Sequence, residues 1–397
     1  MNQDLETIRQ WAHQWKMEFN PDPTKQATEL LFSCKNDSPI HPPILFNGIP
    51  VSKVDEHKHL GVILDSKLSF QSHVNEKITK TKKTIGIIKH LSQFLPIKTL
   101  IVMYKSLVRP HLDYCDVIIH SPPPVDMHNP PPPFEDAPLN TLMKKIESVQ
   151  YQAALAITGT WKGTSRVKIY KELGFESLSK RRSLHRIIQI FKILNNLTPA
   201  YLRDKLPARR IRLLRNDNPN VLRERTTRTE RHEHSFFPDA ISLWNKTVRE
   251  FQDVTTISKI KSKILKRDRP EPRGFFGIHD PIGLHYLFQL RTELSPLRRH
   301  KHHHNFLDTP SDSCRCQQGI ENTNHFIFYC LFFANYRASL AAEIINILSR
   351  NNLLRLANEL DLYLYGNPLL SLDDNKLILL STIKYIKKKQ RFSKKNR

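Results

Sequence analysis

From Phe70 onward the apolar residues recur three and four positions apart, the spacing of one face of an α-helix and not of a strand. Val74, Ile78, Ile85, Ile88 and Leu91 make the first such face, with Lys77, Lys80, Lys82 and Lys83 between them. Pro96 opens a second helix, with Leu100, Tyr104, Leu107 and Val108 inward and Pro110 near its end or at a kink. A third covers Leu139 to Ile157. Residues 164–197 give two more, divided near Gly174, the second carrying Arg181, Arg182, Arg186 and Lys192. Helical patterning returns over 234–268, and the final third ends in helices. With 11 glycines against 26 prolines, the chain suits helices joined by stiff connectors better than a glycine-rich sheet.

Ahead of Phe70 the pattern is mixed. Leu5, Ile8, Trp11, Ala12 and Trp15 predict a helix over 4–17, and Pro21 and Pro23 force a turn. Short strands are predicted at 29–33, at 44–46 before an Asn47-Gly48 turn, and at 60–64. The expected fold is therefore mainly α with a small α+β part. Two proline runs, at 122–124 and 130–133, predict an extended surface insertion between helices. Residues 203–233 are arginine-rich and weakly apolar, which reads as an exposed basic segment.

Charge narrows the partners. Sixty-two Lys and Arg face 38 Asp and Glu, a net charge of +24, and the basic residues occur in runs beside apolar helices. A polyanion, most simply nucleic acid, is the partner this implies. No apolar run reaches the roughly 20 residues that span a bilayer. Met1-Asn2-Gln3-Asp4 has neither a basic region nor an apolar core, so no signal peptide is read there. The expected location is the nucleus or cytoplasm.

Three of the five cysteines fall within seventeen residues, as Cys314-x-Cys316-x8-His325-x4-Cys330. Three thiolates and one imidazole make a closed tetrahedral set suited to structural zinc, with no position left for a reacting water. Gly319 permits the turn between the halves, and Phe326, Ile327 and Phe328 can supply a small core. The nearby Lys301-His302-His303-His304 run reads as a basic surface patch. Asp373-Asp374 reads as an N-cap pair at a helix start.

Several stretches together resemble the C-terminal part of a non-LTR (LINE-type) retrotransposon reverse transcriptase. They are Trp15-Lys16-Met17-Glu18-Phe19-Asn20-Pro21, the run His59 to Phe70, and Tyr104-Lys105-Ser106-Leu107-Val108-Arg109-Pro110-His111-Leu112-Asp113-Tyr114. Leu197 to Leu202, Phe236 to Asn245 and the cysteine cluster follow in the family's order. The resemblance implies the end of a palm over 1–69 and a thumb-like helical bundle over 70–200 with a Pro-rich insertion at 121–138. It further implies a basic linker and helical connector over 201–300, a zinc knuckle over 301–340, and C-terminal helices with a basic tail over 341–397. The chain is expected to start in mid-domain, with the family's catalytic carboxylates upstream and no catalytic residue of its own. Magnesium belongs only to the intact polymerase. Lys25, His59, Gly61, Lys77, Lys80, Lys82, Lys83, Lys105 and Arg109 are the implied nucleic-acid contacts, and RNA or an RNA–DNA duplex the implied partner. Pro23 stands where the resemblance puts a lysine, with Lys25 two residues on, which weakens the case for chemistry. Two other expectations are open at this point. An upstream polymerase half could make the chain part of an active enzyme, or the knuckle could serve a domesticated nucleic-acid-binding or interaction protein.

Overall fold

The computed structural model describes residues 1–20, 22, 25, 27–33, 40–119, 141–207, 220–224, 226–251, 254–265, 274–388 and 392. They form two compact units, Met1–Thr79 and Lys80–Arg397. The described residues are mainly helical, with small two-stranded ladders. The predicted proline-rich insertion and most of the arginine-rich run lie outside the described residues.

The first unit opens with α1 (Asn2–Gln14), whose Asn2 side chain bonds the backbone of Pro43 and Leu45 at 3.2 and 3.1 Å. Six short strands follow: β1 (Thr28–Glu29), β2 (Leu45–Phe46), β3 (Ile49–Pro50), β4 (Ser52–Lys53), β5 (Glu56–His59) and β6 (Val62–Asp65). β1 pairs with β4 in parallel; β2–β3 and β5–β6 are antiparallel hairpins. Asn47-Gly48 makes the first hairpin turn as the dipeptide predicts, both residues having positive φ. The second turn is Leu60-Gly61, with φ of 47° and 81°. Leu60 is therefore a turn residue, 80 % exposed, and not the start of a strand. The twist of a two-residue hairpin demands left-handed backbone at both positions, and this outweighs Leu60's β preference.

Asp65 explains the run that follows. Its carboxylate accepts from the backbone N–H of Lys67 (3.1 Å), Ser69 (2.9 Å) and Phe70 (2.8 Å) and from the Ser69 hydroxyl (3.1 Å). Burial opposes ionisation, but these donors hold the carboxyl below its ordinary value. The chain is thereby turned into α2 (Gln71–Leu91), which crosses the boundary between the units. Its first turns pack on β6, where the Ile63 N–H donates to His73 Nδ1 at 3.3 Å.

In the second unit α3 (Ile97–Met103) runs through a wider π-type turn at Tyr104–Val108 into α4 (Arg109–Asp113). Pro110 has no N–H and its ring crowds the carbonyl four residues back, so the ladder must widen there. The predicted kink is this turn. α5 (Asp116–Ile119), α6 (Thr141–Thr158), α7 (Arg166–Leu173) and α8 (Leu178–Leu194) complete a bundle. α7 ends at Gly174 in left-handed backbone (φ 65°), which an L side chain adopts only at a cost.

α8 turns Arg181 and His185 toward the bundle. Arg181 and His185 meet Asp113 and Asp116 at 2.5 and 2.6 Å, and Arg186 pairs with Asp239. Its other face enters an apolar core with α9 (Ala200–Lys205), α11 (Phe236–Glu250) and α12 (Ile257–Ile264); α10 (Glu230–Glu233) precedes α11. Leu206, Val221 and Leu222 belong to that core. This corrects the reading of 203–233 as exposed throughout: Asn245 bonds both backbone groups of Leu222 at 2.8 and 2.9 Å, and the Trp244 indole donates to the Asn220 carbonyl at 3.0 Å.

The C-terminal part is built from α13 (Pro281–Arg291), α14 (Arg298–His303), α15 (Ala334–Arg350), α16 (Leu360–Tyr365) and α17 (Leu372–Lys387). α17 packs on α13, α15 and α16. Gly159, after α6, has His285 of α13 where a Cβ would stand, and its carbonyl accepts from Gln289 at 2.9 Å. A side chain there would separate the two helices.

Candidate metal centre and basic surface

Cys314 and Cys316 sit on a tight turn. The Cys314 N–H donates to the Gly319 carbonyl at 2.7 Å, and Ser313 pairs with Ile320. Gly319 has φ of 139°, outside the range of ordinary L residues, so it is glycine's freedom that closes the loop. His325 opens a π-type turn (His325–Tyr329), its N–H accepted by the Asn322 side chain at 2.8 Å. Cys330 ends that turn. Its carbonyl accepts from Arg337, which also reaches the Ile327 carbonyl at 3.1 Å.

These four residues converge. Their ligand atoms all lie within 4.8 Å of one another, with Cys314 Sγ to Cys330 Sγ at 3.6 Å and Cys316 Sγ to His325 Nε2 at 3.2 Å. A tetrahedral zinc site, with sulfur about 2.3 Å and nitrogen about 2.0 Å from the metal, has edges of roughly 3.4–3.8 Å. The donor set and the spacing both fit a metal ion. Burial pushes the Cys314 thiol up to about 12, while burial of Cys316 is overcome by hydrogen bonds from the Gln318 backbone, Cys314 and His325, which bring it down to about 6. A divalent cation relieves the crowding of three sulfurs by holding all of them as thiolates.

The supporting residues were only partly legible. Asn322-x-x-His325 has the spacing of an N-cap, a signal available in the sequence. Arg337 stands in the next helix, only seven residues past Cys330, whereas Tyr385, whose hydroxyl donates to the Phe326 carbonyl at 2.6 Å, comes from a distant helix and carries no local signal. α14 departs from a simple surface patch. Arg298 bonds Glu321 and the Ser311 carbonyl, Arg299 bonds Asp312 at 2.9 Å, and Lys301 bonds Asp308 at 2.7 Å. His300 is buried against Ser295, with Nδ1 to Oγ at 2.7 Å. His302, His303 and His304 are exposed, and Cys314, Cys316, His325 and Cys330 are the one metal-capable cluster among the described residues. Arg299 and Lys301 thus brace the segment leading into the metal loop, while the three histidines stay at the surface.

The other predicted residues are spread out. In the first unit Lys25 is an exposed turn lysine 3.0 Å from Asp22, His59 is the last paired residue of β5, and Gly61 is in the turn of the β5–β6 hairpin. On α2, Lys77 is partly buried and Lys80, Lys82 and Lys83 are exposed. Lys105 is exposed on the π-type turn; Arg109 is partly buried, 3.9 Å from Asp113, and burial lowers its pKa. Asp373 and Asp374 lie in the first turn of α17, where the cap is Ser371: its hydroxyl donates to Asp374 Oδ2 at 2.8 Å and accepts from the Asp374 N–H at 3.1 Å.

No helix among the described residues is long and apolar enough to cross a membrane. No family model matches the chain, and no solved structure matches it. Curated relatives do. The chain is 24 % identical over 210 residues, half of its length, to the probable RNA-directed DNA polymerase from transposon X-element of Drosophila melanogaster. It is 30 % identical over 117 residues, 28 % of its length, to the RNA-directed DNA polymerase from mobile element jockey of Drosophila funebris. It is 31 % identical over 70 residues to the probable RNA-directed DNA polymerase from transposon BS of Drosophila melanogaster. The matched stretches cover 20 %, 12 % and 7 % of those relatives. The chain is a distant, partial homologue of the RNA-directed DNA polymerases of non-LTR retrotransposons.

Proposed function

We propose that this chain is a nucleic-acid-holding portion of a non-LTR retrotransposon RNA-directed DNA polymerase, gripping RNA or an RNA–DNA duplex without polymerase activity of its own. The observation that carries the reading is the 210-residue match to a transposon polymerase, spanning half of the chain. The net charge of +24 and the exposed lysines of α2 suit phosphate contacts that do not depend on sequence. In this reading residues 1–69 are the end of a palm and 70–200 a thumb. The Cys-Cys-His-Cys set holds structural zinc, since four protein ligands leave no place for a metal-bound water. The one Asp-Asp pair, Asp373-Asp374, lies in the first turn of α17 with Asp374 bonded to the Ser371 cap, and it is given no catalytic role in this reading.

Primer extension on an RNA template with magnesium tests the inactivity. No extension is expected, and template-dependent synthesis by the purified chain would overturn it. Metal analysis of reduced protein should give one zinc per chain.

A further inference from the structure

A cavity of about 440 Å³ opens beside the metal loop, between α14, the end of α13 and α16. We propose that it receives a single unstacked base of a bound nucleic-acid strand, with Tyr365 as the stacking surface. The inference rests on the nucleic-acid reading above and adds a site to it.

Size and lining point the same way. The volume lies in the range of about 300–1,000 Å³ that holds small ligands, enough for one nucleotide. Tyr365 is 46 % exposed, and its ring is backed by the Arg291 guanidinium at 4.8 Å. Arg291 is itself buried and fixed by Glu172 at 3.0 Å and by the Leu364 carbonyl. The ring is therefore a held plane with a cation behind it, a good platform for a base. Asn324 is exposed on the cavity wall and offers both a donor and an acceptor. Asp361, also exposed, offers acceptors for amino or hydroxyl hydrogens. Arg299, held by Asp312 at 2.9 Å, and His303 also line the cavity and offer N–H donors to the phosphates that precede and follow the base. The other acid, Glu293, is neutralised by Lys168 at 2.5 Å. The Asp361 carboxylate disfavours a phosphate deep in the cavity, so the nucleotide enters base first.

The wall formed by Asn322, Thr323 and Asn324 is the segment directly ahead of His325. Occupancy should therefore depend on the metal that fixes His325.

The test uses the full zinc-loaded chain and a single-stranded twelve-nucleotide RNA carrying one 5-iodouracil. Photo-crosslinking is mapped by mass spectrometry, and affinity is measured by anisotropy. The expected adduct is at Tyr365, absent after zinc is chelated. Y365F keeps the affinity, Y365L weakens it about tenfold, and N324A, at an exposed side chain that threatens no packing, weakens it about fivefold. If either Y365L or N324A leaves affinity unchanged, or if adducts form elsewhere and none at Tyr365, the cavity is a packing gap and the proposal falls. Those results would leave the nucleic-acid reading standing. Absence of any binding at low salt would remove both.

Discussion

Two buried arginines show how differently one residue type can be housed. Arg291 donates to Glu172 and to the Leu364 carbonyl and lies against three aromatic rings. Arg182 is also buried, yet among the described residues none of its three guanidinium nitrogens has a hydrogen-bond partner. Burial lowers its pKa, opposed by the nearby charges of Glu147, Asp116 and Asp113. Those acids are satisfied by other donors: Glu147 by Tyr170 and the Leu178 N–H, Asp113 by Arg181, Asp116 by His185. Breaking a bonded buried pair costs about 3–5 kcal/mol, while a buried cation without hydrogen bonds carries an unoffset desolvation cost that its removal relieves. Denaturant midpoints should therefore fall sharply for R291M and change by less than about 1 kcal/mol for R182M; equal losses would refute the distinction. His300 gives a pH prediction. Burial pulls its pKa from 6.5 down to about 4, so the fold holds a neutral ring. The unfolded chain takes up a proton near pH 6.5 that the native chain refuses until about 4. Stability is then full above that window and declines as pH falls through it, by roughly 3 kcal/mol in all. The H300Q variant should show a shallower loss between pH 7.5 and 5, measured by urea unfolding; an unchanged slope would locate the acid sensitivity elsewhere.

At the scale of elements, the metal loop is the part whose order depends on its ligands. C330S should reduce zinc below one per chain and expose the turn His325–Tyr329, while the core of α8, α11 and α12 stays protected in hydrogen exchange. Global unfolding in C330S would show instead that the loop holds the whole second unit. The ligand set was legible because four metal-binding residues within seventeen positions are a local pattern. Helices were legible from their apolar spacing, and α7 and α8 divide at Gly174 as expected. What holds the elements together was not. Phe236 to Asn245 reads in sequence as a helix start, and in space its Asp239 pairs with Arg186 while Trp244 and Asn245 pin residues 220–222. Those partners lie over twenty residues away, where periodicity has no reach. At α14 the run's three histidines lie at the surface as read, while the acids that hold Arg299 and Lys301, Asp312 and Asp308, follow on a loop that folds back and give no periodic signal.

For the whole molecule, charge is the property that most constrains function. An excess of 24 positive charges destabilises a compact chain through self-repulsion and draws polyanions to it. Some of that charge is spent internally, on Arg181, Arg186, Arg291 and Arg299, and Lys80, Lys82 and Lys83 of α2 are exposed at the surface. The triple variant K80E/K82E/K83E should then weaken duplex binding and make its salt dependence shallower by about 0.7–0.9 log units per lost phosphate contact. The most direct test of the proposed grip is the affinity of the zinc-loaded chain for an RNA–DNA duplex, titrated from 50 to about 300 mM salt, a range over which phosphate contacts are released. The account predicts tight binding at low salt and a steep linear fall of log affinity with log salt; no binding at the lowest salt, or affinity that does not respond to salt, would contradict it.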